Sequence, residues 1–188
     1  MHGDAAGRRA PAGDHQRRAA AVTDSPPPSA VTLGFLSLTQ DASGVSGGYL
    51  LTNAWGRPLE FRLSSAVQPT KVQQILYGPT LTDYLHGELI GKTLVEKSSA
   101  RPVLIVTDTM AGLSLAKAVG VPVVAVGPGE GSFRHERSSQ PLTASDPAVV
   151  LPLLELVDPV VDLAEPFARV REAAAEARKL GGASRAAA

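Results

Sequence analysis

Cysteine is missing altogether, which removes disulfides, thiolate catalysis and cysteine-ligated zinc and fits a reducing compartment. Aromatic residues make up only 4% of the chain, so a core has to be assembled from Val, Leu, Ile and Ala. Net charge is lacking as well. Lys and Arg number 18 and Asp and Glu 18 in 188 residues, whereas a protein that neutralises phosphates usually carries a basic surplus. No apolar run is long enough to span a membrane. Residues 149–161 come nearest and are broken by Pro152, Glu155, Asp158 and Pro159. The first thirty residues hold nothing like the apolar centre of a signal peptide. Together these absences predict a soluble, cytoplasmic protein with no membrane contact.

What is present is enough for one domain with tails: 44% hydrophobic and 19% charged residues. Residues 1–30 consist mostly of Ala, Arg, Gly, Asp and Pro and close on Ser25-Pro26-Pro27-Pro28. Such a segment cannot bury enough surface to offset its ordering entropy, and it is expected to be a disordered tail. An α/β domain over 31–165 follows, then a C-terminal helix over 166–182 and a frayed end over 183–188.

Within the domain, residues 31–39 are rich in β-formers and predict a strand. The glycine-rich text from Asp41 to Gly48 predicts a turn, and Tyr49 to Thr52 a second strand. A reversal over 53–58 leads to Leu59-Glu60-Phe61-Arg62-Leu63, whose alternation predicts a half-buried strand with Leu59, Phe61 and Leu63 toward the core. Residues 70–77 suggest a short helix. A longer one over about 80–97 carries Leu81, Leu85 and Leu89 at four-residue spacing. The apolar runs 102–107 and 121–126 read as strands buried on both faces. With the helix over 110–119 between them they form a parallel βαβ unit. A loop through Ser145 precedes helical segments punctuated by Pro147, Pro152, Pro159 and Pro166. The cleanest helix, over 167–180, is ended by Gly181-Gly182. The fold class expected is therefore α/β with a mixed sheet, an antiparallel three-strand meander leading into a parallel unit and C-terminal helices.

This order of elements resembles the ribonuclease H-like fold over roughly residues 31–180. Three acids carry the resemblance further. Asp41 follows the first strand in Thr39-Gln40-Asp41-Ala42-Ser43, Glu88 lies in the first long helix, and Asp108 closes the fourth strand in Val106-Thr107-Asp108. Asp162 is the nearest counterpart of a fourth acid. The strand body 34–39 has no acid of its own, so Asp41 stands for the first-strand Asp of the family. The run Tyr84-Leu85-His86-Gly87-Glu88-Leu89, with the later Gly120-Val121-Pro122, is faintly similar to the endonuclease V branch of that fold. The resemblance implies a metal-dependent phosphodiester hydrolase in which Asp41, Glu88 and Asp108 are both the catalytic residues and the ligands of Mg²⁺ or Mn²⁺. Hard oxygen donors suit such ions, which stabilise the attacking and leaving oxygens of an in-line displacement.

Each acid also has a structural reading. Asp41 can bond the backbone of its own Asp-Ala-Ser-Gly turn, Glu88 can pair with Lys92 one helical turn on, Asp108 can cap the following helix, and Asp162 can pair with Glu165 in a cap. Two functions follow. One is a non-catalytic binding or scaffold domain, working through the meander surface or through the C-terminal helix, on which Phe167, Val170 and Ala174 form a stripe able to dock on the domain, on a protein partner or on a second copy. The other is the divalent-metal hydrolase, the only reading under which nucleic acid is a partner. Neutral charge, the place of Asp41 and the structural alternatives favour the first.

Overall fold

The computed structural model describes residues 31–186, those beyond 180 by their backbone alone, so the expected disordered tail lies outside the described residues. Six strands make one sheet: β1 (Thr32–Asp41), β2 (Gly44–Asn53), β3 (Pro58–Leu63), β4 (Leu104–Thr107), β5 (Val123–Val126) and β6 (Leu142–Ala144). Their order is β3-β2-β1-β4-β5-β6. β1, β2 and β3 form the expected antiparallel meander, β4 runs parallel to β1 and to β5, and β6 returns antiparallel to β5. The chain is thus α/β with a mixed sheet.

Five helical elements accompany it, besides a 3₁₀ turn over Gly78–Thr80. They are α1 (Lys71–Tyr77), α2 (residues 81–96), α3 (residues 110–119, opening with a 3₁₀ turn), α4 (Pro147–Leu154) and α5 (Pro166–Ala186). Strand alternation sorts the core into two layers. Leu33 and Phe35 of β1, with Val106 and Val124, pack beneath α4 and α5, where Phe167 meets Phe35 edge-to-face at 6.0 Å. Leu36 and Leu38, with Ile105 and Val123, pack beneath α2 and α3 on the opposite face. Gly120 ends α3 in the left-handed conformation (φ 62°), a position where a side chain would be strained. No helix among the described residues is long and apolar enough to cross a membrane.

Several expectations need correction. The turn after β1 is only Ala42-Ser43, because Asp41 already pairs with Gly44 and β2 begins there. Gly47 and Gly48 are strand residues required by close packing, one on each face. A Cβ on Gly47 would stand 2.7 Å from Ile90, and one on Gly48 would stand 2.6 Å from Val170 of α5. In β3 the alternation is present but its sides are not as expected. Leu59 and Phe61 are exposed, while Glu60 and Arg62 are half-buried. The expected loop contains the three-residue strand β6, whose Leu142 is fully buried. Pro152 does not divide the helices but lies within α4, near its solvent side. Gly181-Gly182 do not end α5, which continues to Ala186. The stripe of Phe167, Val170 and Ala174 is buried on the chain's own sheet, so that stripe is not open to a partner.

Candidate functional site

The carboxyl ends of neighbouring parallel strands, at the centre of an open α/β sheet, are where such folds place ligands. Here those ends belong to β1 and β4. Leu36 pairs with Thr107, which sets Ser37 and Asp108 side by side. Ser37 is an isolated buried hydroxyl in an apolar strand, turned toward α5. Its Oγ donates to Asp108 Oδ2 at 2.6 Å, and the guanidinium of Arg171 on α5 donates to the same oxygen at 2.9 Å. Oδ1 of Asp108 is buried without a hydrogen-bond partner. The cap of α3 is not Asp108 but Thr109, whose hydroxyl accepts from Gly112 N at 3.2 Å.

His86 of α2 completes this end of the sheet, with Nδ1 3.4 Å from Thr109 Oγ1. Burial lowers its pKa, partly opposed by the charges of Asp83 and Asp108, a net shift that favours the neutral ring. Farther along β1, Arg178 of α5 contacts Ser46 of β2, lies 3.5 Å from Thr39 and sits 3.9 Å from Asp41. Arg171 and Arg178, two helical turns apart, thus run along a row of Ser37, Thr39 and Asp41 on one face of β1.

The acids expected to form a metal site occupy separate settings. Asp41 accepts from Ser43 N at 2.8 Å and from the Ser43 hydroxyl, and these bonds, then Arg178, lower its pKa. That is the turn its sequence suggested. Glu88 is exposed on α2 and lines a groove of about 740 Å³ together with Tyr77, Tyr84 and Lys92; Lys92 makes its ion pair with Glu96, at 3.8 Å, rather than with Glu88. Asp162 accepts from Ala164 N at 3.0 Å and Ser139 N at 3.1 Å, which ties the loop before β6 to the approach to α5. Burial works to raise its pKa, and these hydrogen bonds outweigh it, leaving a net lowering. Among the described residues, no three His, Asp or Glu side chains stand together so as to hold a metal ion.

Chemically, the strand ends offer one carboxylate whose charge is met by a guanidinium and whose outer oxygen already accepts two hydrogen bonds. A divalent cation binding at that oxygen would have to displace Arg171. A serine giving its proton to a carboxylate, with His86 bonded elsewhere, lacks the base–orienter geometry of an activated nucleophile. Ser37 and Arg171 were not singled out by the sequence, and His86 entered it only within the run from Tyr84 to Leu89. Ser37 left a signal, as the one polar side chain on the core-facing positions of its strand; Arg171 left none, since its partner lies 63 residues away. Comparison with protein-family models and with curated proteins finds no match to this chain.

Proposed function

We propose that this chain is a non-catalytic binding or scaffold domain of ribonuclease H-like topology. The topological part is supported by the central place of β1, flanked by antiparallel β2 and parallel β4, with helices on both faces of the sheet. The observation that carries the functional part is the engagement of Asp108 Oδ2 by Ser37 and Arg171, which pairs its charge with a guanidinium, while Asp41 and Glu88 stand in separate settings and, among the described residues, no three ligating side chains stand together. The binding surface we assign is the meander side. Among the described residues, edge strand β3 keeps one edge unpaired and exposes Leu59 and Phe61, and Trp55, about half exposed, sits in the reversal just before it. An unpaired edge flanked by apolar side chains suits an added strand or an apolar protein surface.

The test is thermal unfolding of the full chain with and without millimolar Mn²⁺, beside Glu88→Gln and Asp108→Asn. A ligand that binds only the folded state raises its midpoint. The expected result is no metal-dependent rise in any of the three proteins. A rise in the parent that both substitutions abolish would replace this reading with the phosphodiester hydrolase, with Mg²⁺ or Mn²⁺ on Asp108 after Arg171 has moved away.

A further inference from the structure

We infer that α1 is the contact of a two-fold symmetric dimer, formed with a second copy of this chain. The inference is independent of the strand-end reading, since a catalytic chain could pair in the same way. α1 is seven residues long and has no buried residue. An isolated helix that short is not stable in water, even with a capping box between Thr70 and Gln73. Its apolar residues Val72, Ile75 and Leu76 share one face at helical spacing and are 63%, 68% and 77% exposed. Tyr77, around the helix from that face, stacks on Tyr84 at 4.4 Å and fastens α1 to α2. The apolar face is therefore held outward.

Three occupants can be weighed from the sequence and charge. Residues 1–30 contain only Met1 and Val22 as large apolar side chains, and 181–188 contain none, so these segments offer little apolar surface to match the patch. An anionic membrane would call for a basic rim, but the charges flanking α1 are one of each sign: Lys71 at its start and Asp83 shortly after its end. Neither has an ion-pair partner among the described residues. A two-fold rotation that lays one α1 antiparallel on another brings Lys71 of each copy to the C-terminal end of its mate, from which the chain turns through Gly78–Thr80 toward Asp83. There the helix dipole and the carboxylate both favour a cation. The zero net charge of the chain adds no long-range repulsion.

Sedimentation velocity on the full chain, from micromolar to hundreds of micromolar, provides the test. The expected species approaches twice the 19.4 kDa chain mass as concentration rises. Ile75→Asp, at an exposed position that leaves the core untouched, is expected to abolish it with an unchanged circular dichroism spectrum. Lys71→Glu is expected to weaken association about tenfold, because the axis makes each charge contact twice, and Lys71→Glu with Asp83→Lys is expected to restore it. A parent that stays monomeric throughout overturns the proposal. So does a dimer indifferent to Ile75→Asp, and a double charge swap no tighter than the single change overturns the antiparallel arrangement.

Discussion

At the scale of single residues, Asp41, Glu60, Asp146, Asp158 and Asp162 are acids occupied with holding the backbone. Glu60 shows it most clearly. Its carboxylate accepts from Ser99 N at 2.7 Å, from the Ser99 hydroxyl at 2.7 Å and from the Ser98 hydroxyl at 3.2 Å, and it pairs with Arg62. The backbone bond from Ser99, followed by its hydroxyl, lowers the pKa of Glu60 from 4.5 to about 2. The unfolded chain therefore takes up this proton near 4.5 and the folded chain only near 2, so the stabilisation is present above 4.5 and is lost as pH falls toward 2. Glu60→Gln is expected to lower the thermal midpoint at neutral pH by about 2–4 °C, equivalent to about 1 kcal/mol once solvent screening is allowed for. Melting curves for both proteins from pH 7 downward check this: the gap should close in acid, and a constant gap would mean that the ionised carboxylate is not what matters. Asp41 was legible because its partner, Ser43, is two residues away. Asp108 was not, because its fate is decided by Ser37 and Arg171, which only the folded sheet brings to it.

At the scale of elements, the long apolar strands and their stops were readable. β4 and β5 are continuous apolar runs because both faces are covered, and Gly120 ends α3 as a left-handed cap should. What the text hides is why a glycine is there. Gly47 and Gly48 resemble turn chemistry, yet they are needed for the closeness of helices above and below, and a linear sequence does not separate the two causes. β6 is too short to show a period, and a strand side cannot be assigned when, as in β3, the apolar side is left partly open. The middle of α2, Tyr84–Gly91, is π-helical, a wider winding that no periodicity argument anticipated. Gly87 lies in it against α3: a Cβ there would overlap Ser114 Oγ and stand 2.8 Å from the backbone nitrogen of Leu115. Helix propensity favours alanine by about 1 kcal/mol, but contact with an immovable backbone decides the sign. Gly87→Ala is expected to destabilise the protein by about 1–3 kcal/mol in urea unfolding, with Ser114→Ala restoring only part of the loss. Full stability in Gly87→Ala would show that α2 and α3 are not held so closely.

At the scale of the whole molecule, α5 contributes side chains to the core of the sheet. Phe167 and Val170, each 2% exposed, close the layer above Phe35 and Leu50. Each such side chain contributes about 1.5–3 kcal/mol on burial, a large share of a stability that is typically about 5–15 kcal/mol. A chain ended after Glu165 is therefore expected to lose its cooperative unfolding transition, as followed by near-ultraviolet circular dichroism and urea titration. A sharp transition near that of the parent would make residues 31–165 a domain in their own right. The sheet order has one more consequence, which concerns time rather than space. Among the described residues β1 is the first strand to be synthesised, and it lies at the centre of the sheet. Its pairing with β2 needs only a two-residue turn, whereas the neighbour on its other side, marked by the bond from Ser37 to Asp108, comes 71 residues later. A chain made from its amino end thus holds half of its central strand's bonds early and waits for the rest, with one edge of β1 open until β4 is complete.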